Sequence, residues 1–227
     1  MDMEGNIDKT DIAEANVQYG YYEDCIENYF SKIETALGDV RAAIKSSLKS
    51  EQDGFLRIHL PKNTLQTVKQ YCVLCYIRSE EFVKSVEKNS AMIDLLANSP
   101  ANAVVYTYLR HPDIIDRVIK NKNLTFIISK ENNFIIPQYG GYSMKRGGLI
   151  DVIIVVSPNV AFRLTDDTVR NKGGNLKVDS AAKNQVDILN QVAIRSEFKY
   201  NRRALYAQTE QDLLKYKDFL LSLKEEK

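Results

Sequence analysis

Apolar residues recur at every third or fourth position through the first half of the chain. In residues 23–50 they are Ile26, Tyr29, Phe30, Ile33, Leu37, Val40 and Ile44. That spacing predicts an amphipathic helix. The same pattern, with Pro61 and Pro100 at first-turn positions, predicts further helices over about 61–78, 80–97 and 99–121. We therefore expect a helical lobe over 21–121, preceded by a loosely attached segment over 1–20.

The second half changes to short runs of β-branched and aromatic residues. Strands are predicted over about 124–129, 134–136, 150–156, 160–164 and 203–207, and helices over about 179–197 and 209–225. Ser157-Pro158-Asn159 predicts a hairpin turn, whereas the glycine-rich stretch 139–148 and the polar stretch 165–177 are predicted loops. The sequence thus predicts one α+β domain over 21–227, in which the helical lobe precedes a small mixed sheet with flanking helices over 122–227.

Composition narrows the class of protein. The chain is 44% hydrophobic and 27% charged, which is ordinary for a globular domain, and no apolar run approaches the roughly 18 residues of a membrane-spanning helix. Its acidic first residues are unlike a secretory signal or a transit peptide. Three cysteines, an odd and low number, favour a reducing compartment. We therefore expect a cytoplasmic protein with no membrane partner.

The net charge of +1 conceals an uneven distribution. Residues 1–60 carry 12 acidic and 6 basic side chains, whereas residues 140–206 carry 6 acidic and 11 basic ones. A basic C-terminal lobe attracts anionic partners. Alternatively, the two lobes complement each other across an internal interface.

Cations and aromatic rings alternate between residues 195 and 206. Cationic side chains bind phosphates and rings stack on bases, so this composition is typical of a surface that binds single-stranded nucleic acid. The alternative is a solvated helix end whose cations complement the macrodipole. In the first interpretation Tyr200 stacks on a base, and phosphates are bound by Arg78, Arg195, Lys199, Arg202 and Arg203.

Two glutamates on the first predicted helix are candidate catalytic residues. Glu27 and Glu34 are seven residues apart and so share one face of the helix. Such a pair could hold a divalent cation, the one cofactor that the sequence suggests, beside a substrate phosphate. The structural alternative is an ion pair with Arg78 between packed helices.

A third candidate catalytic residue, Glu131, follows the predicted strand 124–129. It would form a polar cluster with Ser129 and Asn190, two candidate ligand-binding residues, if the strand end faces the 179–197 helix. The composition of residues 130–133 is also that of an ordinary turn.

Other motifs are incomplete. Glu197-Phe198-Lys199 has the Glu-x-Lys spacing of metal-dependent nucleases, but the upstream Asp187 falls on a predicted helix rather than on a neighbouring strand. Cys72 and Cys75 have no second Cys or His pair to complete a zinc site, so we expect them in the core. Glycine pairs flank residues 145–146 and could bind an anion, yet neither a P-loop nor a nucleophile elbow occurs in the sequence.

Several motifs follow one another in a defined order over about residues 20–207. They are Tyr21-Tyr22-Glu23 with Ile26-Glu27 and Ile33-Glu34, Cys75-Tyr76-Ile77-Arg78, Phe126-Ile127-Ile128-Ser129, the turn Val155–Ala161, and Asp187-Ile188-Leu189-Asn190 with Arg195 and Ala204-Leu205-Tyr206. This ordered set resembles the bacterial domain-of-unknown-function family DUF4238. The resemblance implies a bacterial or phage cytoplasmic protein and no particular reaction. Two features depart from the family pattern: its His- and Pro-containing N-terminal segment has no counterpart, and Lys130 replaces an aspartate, with Glu131 one place later.

The leading hypothesis is a bacterial effector linked to nucleic acids, such as a nuclease, a phage-defence protein or a protein associated with mobile elements, that binds phosphates through its basic C-terminal lobe. The alternative is a non-catalytic interaction subunit, whose apolar helices pack on a partner chain or on a second copy. A small-molecule hydrolase is a third, weaker hypothesis.

Overall fold

Two helices cover opposite faces of a six-stranded mixed sheet in the computed structural model of this chain. The structure describes residues 1–2, 5–7, 28, 31, 33, 38, 40, 57–77, 84, 122–130, 133–137, 141–146, 149–165, 175–199 and 205–225. Its strands are β1 (Arg57–His59), β2 (Asn123–Ser129), β3 (Ile136–Pro137), β4 (Gly141–Arg146), β5 (Leu149–Ser157), β6 (Val160–Thr165), β7 (Asn175–Ala181) and β8 (Leu205–Tyr206). Its helices are α1 (Lys62–Ile77), α2 (Lys183–Lys199), α3 (Glu210–Leu214) and α4 (Lys217–Glu225).

The main sheet has the strand order β1-β7-β2-β6-β5-β4. Strands β2 and β7 are parallel, and the other neighbouring strands are antiparallel. Strands β5 and β6 form the predicted hairpin, with a register shift between Val155 and Ser157. Strands β3 and β8 form a separate two-stranded sheet, in which Ile136 pairs with Tyr206.

Alternation along the strands divides the apolar side chains between the two faces of the sheet. Helix α1 covers one face, where it packs on Leu124, Phe126, Val152, Ile154, Val160, Phe162 and Leu164. Helix α2 covers the other face, where Val186, Leu189 and Ala193 pack on Ile127, Ile153, Val155, Ala161 and Ala181. Both faces of the sheet are therefore covered, which explains why every residue of β2 is buried.

A third apolar cluster joins the C-terminal helices to the two-stranded sheet. Its buried members are Met1, Ile135, Ile194, Leu205, Leu213, Tyr216, Leu220 and Leu223. The backbone N–H of Leu205 donates to the carbonyl of Met1 at 2.8 Å. The first residue therefore packs against the C-terminal segment. The loose segment expected over 1–20 stays a prediction, because residues 3–4 and 8–20 lie outside the described part of the chain.

The α+β class, with a mixed sheet and flanking helices, is confirmed. Residues 28, 31, 33, 38 and 40 are helical, as predicted, whereas the predicted helices over 80–97 and 99–121 lie outside the described residues apart from helical Lys84. In the described residues the two predicted lobes share one core, because α1 packs on the sheet and β1 pairs with β7. No helix among these residues is long and apolar enough to span a membrane.

Two predicted loops contain strands instead. Strand β4 (141–146) occupies most of the loop predicted over 139–148, and β7 occupies 175–181, where the sequence predicted the end of a loop and the start of a helix. In β4 a glycine serves packing rather than a turn: a Cβ on Gly141 would lie 2.5 Å from Cδ1 of Ile154. The predicted helix over 209–225 is divided into α3 and α4 at residues 215–216.

Candidate functional site

Helix α2 presents an exposed basic surface at its C-terminal end. Arg195 and Lys199 are four residues apart and both are exposed, so they lie on one side of the helix. We call these two residues the α2 basic end. The other predicted phosphate ligands, Arg78, Arg202 and Arg203, and the stacking residue Tyr200 lie outside the described residues.

A ring on α4 orients one of these cations. The guanidinium carbon of Arg195 lies over the Phe219 ring, 5.4 Å from its centroid. A cation over the face of a ring is attracted by its quadrupole, and contact with the ring limits the rotamers of a long side chain. Arg195 is therefore partly pre-organised on the surface, which reduces the entropy lost when it binds an anion.

Asn190, a predicted ligand-binding residue, occupies the centre of a buried hydrogen-bond network. Its Oδ1 accepts from the backbone N–H of Ile135 at 2.8 Å, and its Nδ2 donates to the carbonyl of Asn133 and to the hydroxyl of Tyr216, both at 3.0 Å. Asn190 is 1% exposed. These contacts give it a structural role, because they attach the segment after β2 to both α2 and the C-terminal helices.

Ser129, another predicted ligand-binding residue, begins the segment whose other end is bonded to Asn190. It is buried at the end of β2, and its backbone N–H donates to the carbonyl of Asn159. The backbone N–H of Phe134 in turn donates to the carbonyl of Pro158. The β5–β6 turn therefore holds both ends of the segment that contains Glu131, which itself lies outside the described residues.

Two ionisable groups complete this network. The hydroxyl of Tyr216 donates to Asp187 at 2.6 Å, and burial together with this bond raises the Tyr216 pKa above its ordinary value. Burial by itself would raise the pKa of Asp212, but hydrogen bonds from Thr209 and Asn133 and the nearby charge of Lys215 lower it below its ordinary value. Asp212 is thus a carboxylate that the fold stabilises in its charged form.

The proposed carboxylate pair, Glu27 and Glu34, also lies outside the described residues. Within the described part of the chain, no group of three His, Cys, Asp or Glu side chains could hold a metal ion. Glu197 of the Glu-x-Lys motif is on helix α2 and is fully buried, so that motif lacks the strand that a metal-dependent nuclease site would require.

Cys72 and Cys75 are buried in α1 as free thiols. Burial, followed by the proximity of Cys75, raises the pKa of Cys72 well above its ordinary value. A thiol of high pKa is a poor nucleophile and metal ligand. The two cysteines thus act as apolar core residues, as the sequence predicted.

The structure also contains a polar patch that the sequence did not predict. On the side of the sheet that faces α2, the side chains at one end of β2 and β6 are all polar. A polar side chain of β5 lies beside them. We call this group the polar sheet end; its members are Asn123, Thr125, Asp151, Arg163 and Thr165. Exposure is 6% or less for all of these residues except Arg163.

The strand register places these side chains next to one another. Asn123 pairs with Thr165, and Thr125 pairs with Arg163. Val152 pairs with Leu164, so Asp151 and Thr165 face each other one residue further along. The signal available in the sequence was a charged residue inside each of two otherwise apolar strands, Asp151 in β5 and Arg163 in β6.

Arg163 crosses over β2 to an acidic partner on β7. Its Nη2 lies 2.8 Å from Oδ2 of Asp179, and the two side chains are 23% and 29% exposed. The Nε of Arg163 is buried and has no hydrogen-bond partner in the described part of the chain. Arg163 is therefore held in place through one nitrogen and retains one unused donor.

No protein-family model, curated protein or solved structure matches this chain. The fold and site define an α+β protein with a helix–sheet–helix arrangement, a basic helix end and a polar patch on one face of the sheet. The family resemblance remains a hypothesis from the order of sequence motifs.

Proposed function

We propose that this protein binds a nucleic acid or a similar polyanion through the α2 basic end. The observation that carries the proposal is the exposed pair Arg195 and Lys199, with Arg195 oriented over Phe219. Further support comes from the sequence, which continues from Lys199 into Tyr200, Arg202 and Arg203. Cations that neutralise phosphates release counterions and so give affinity without a deep pocket.

The finer version of the proposal is a bacterial, cytoplasmic effector linked to nucleic acids, related to DUF4238 and acting in antiviral defence. It rests on the motif order and on the uneven charge distribution along the chain. Whether this effector cleaves nucleic acid depends on Glu27, Glu34 and Glu131, and we propose these residues as the first targets if metal-dependent cleavage is observed.

The first experiment compares binding to labelled single-stranded RNA, single-stranded DNA and duplex DNA across a salt series, with and without magnesium or manganese. We expect salt-sensitive binding, and we expect the double variant Arg195→Gln/Lys199→Gln to weaken it and to reduce the slope of log K against log salt by about two. Lys183→Gln is the matched control, since Lys183 is an exposed cation at the other end of the same helix. Absence of salt-sensitive binding to all three probes would overturn the proposal.

A second candidate function is a non-catalytic interaction subunit. It is favoured by two large apolar side chains that the described surface leaves exposed, Ile188 at 55% and Leu214 at 46%. An assembly that buries these residues would tolerate salt, unlike polyanion binding. Light scattering at low and high salt, on the unmodified protein and on Ile188→Ser/Leu214→Ser, separates the two functions.

A further inference from the structure

The polar sheet end combines burial, charge and an unused donor in a way that the core does not require. Apolar side chains fill the opposite face of the same strands, with Leu124, Phe126 and Leu164 all buried there. Burying polar groups costs free energy unless they form hydrogen bonds. A buried donor that forms no hydrogen bond therefore calls for a reason beyond packing.

Arg163 has a buried donor that forms no hydrogen bond among the described residues. Its guanidinium binds Asp179 through Nη2 only, while Nε is buried without a partner among the described residues. An unsatisfied buried donor is costly, and in native proteins it commonly marks the position of a water, an ion or a ligand. The side chains of Arg163 and Asp179 are 23% and 29% exposed, so part of this ion pair reaches solvent although Nε itself is buried.

Charge selects the kind of ligand. An anion that approached Nε would be repelled by the carboxylate of Asp179 and by the buried Asp151 on the same face of the sheet. A cation would be repelled by the guanidinium group itself. An uncharged oxygen acceptor avoids both penalties. The hydroxyls of Thr125 and Thr165 and the amide of Asn123, on neighbouring strands, are groups that commonly bind such ligands.

We propose that the polar sheet end is a binding site for an uncharged polar small molecule, which accepts a hydrogen bond from Nε of Arg163 through a carbonyl or hydroxyl oxygen. A nucleoside and a free sugar share this chemistry. The site is separate from the α2 basic end, and the proposal does not depend on polyanion binding.

The test follows the Nε–H of arginine side chains in ¹H–¹⁵N spectra of the intact protein, with the Arg163 signal assigned by its loss in Arg163→Lys. Uridine, adenosine, glucose and inorganic phosphate are titrated separately. A saturable shift with uridine alone identifies a base carbonyl, a shift with both nucleosides identifies a ribose hydroxyl, and a shift with glucose identifies a sugar site. Each of these three results supports the proposal.

Two variants separate an effect on probe binding from an effect on folding stability. We expect Arg163→Lys, which retains a cation for Asp179, to weaken binding of the responding probe by about tenfold, the value of roughly one hydrogen bond. Calorimetric titration measures this affinity, because the variant has no Arg163 signal. Arg195→Gln, on the other surface, should leave that affinity unchanged. A shift with phosphate alone, or no shift with any probe, overturns the proposal. So does Arg163→Lys if it lowers the melting temperature while leaving probe affinity intact, because Arg163 would then be purely structural.

Discussion

The two faces of the main sheet differ in chemistry although the same strands build both. On β2, β5 and β6 the face under α1 carries a continuous group of buried apolar side chains, whereas the face under α2 is apolar around Ile127 and Val155 and polar at the end that carries Asp151 and Arg163. Adjacent residues on one strand therefore contribute in different ways: Phe126 fills a core, while Thr125 lies in a polar row. The comparison shows that both sides of the sheet contribute a buried apolar cluster, and that only the side under α2 also carries a row of buried polar residues.

The largest expected effect is on the α1 side. Phe126 is fully buried and meets Phe162 edge to face, with the ring centroids 4.7 Å apart. We expect Phe126→Ala to lower the free energy of unfolding by about 3–5 kcal/mol, through lost burial and the cavity that remains. Urea denaturation measures this, with Thr125→Val as the neighbouring comparison on the opposite face. Equal losses in the two variants would show that the faces do not differ as we describe.

The hydrogen-bond network around Asn190 should give the next largest effect. Asn190→Ala leaves the buried N–H of Ile135 without its acceptor, so we expect a loss of about 1–3 kcal/mol in the free energy of unfolding. Gln191→Ala, at the adjacent exposed position, should change it by less than about 0.5 kcal/mol. A neutral Asn190→Ala would indicate that ligand binding rather than structure requires this amide.

Two glycines should respond to alanine with opposite signs. Gly141→Ala places a methyl group against Ile154 in the sheet, and we expect a loss of about 1–3 kcal/mol from overpacking. Gly38 is an exposed helical position with no atom of the described residues within 4 Å of an added Cβ, so Gly38→Ala should stabilise by about 0.5–1 kcal/mol. Thermal melting of the pair measures both effects; a stabilised Gly141→Ala would show that β4 adjusts without cost.

The smallest expected effect depends on pH. The lowered pKa of Asp212 means that the folded protein keeps this carboxylate charged at pH values where the unfolded chain protonates it. Its stabilisation is therefore complete above the unfolded pKa, about 3.9, and is lost as pH falls through the folded value. We expect Asp212→Asn to be less stable than the unmodified protein at about pH 6, and the difference to shrink toward about pH 3. Asp218→Asn, an exposed neighbour, is the control, and a difference that stays constant with pH would contradict this assignment.

The sequence predicted the elements whose signals are local. Pro61 marks the start of α1, and the Ser157-Pro158-Asn159 turn marks the β5–β6 hairpin, because proline and turn residues act within a few positions. Strands β4 and β7 were not predicted because contacts with other strands, rather than their own sequence patterns, determine them. Gly141 leaves room for Cδ1 of Ile154 from the next strand, and β7 carries Asn175 and Lys177 where it pairs with short β1.

The candidate site was predictable only in part. Arg195 and Lys199 were identified because an exposed cationic helix end is visible in composition. The polar sheet end was not predicted, because Asp151 and Arg163 look like isolated charged residues in strands that are recognised by their apolar positions. Their proximity depends on how three strands align, and a single sequence does not specify that register.

The pairing of β1 with β7 has a consequence for synthesis. Residue 57 aligns with residue 177, so a ribosome adding about 5–20 residues per second produces the edge strand roughly 6–24 s before its partner exists. Helix α1 follows β1 directly and is likewise synthesised before the strands on which it packs. The part of α1 that packs on β5 and β6 thus lacks those strands early in translation, and a chaperone that binds nascent chains would find a target within residues 62–77.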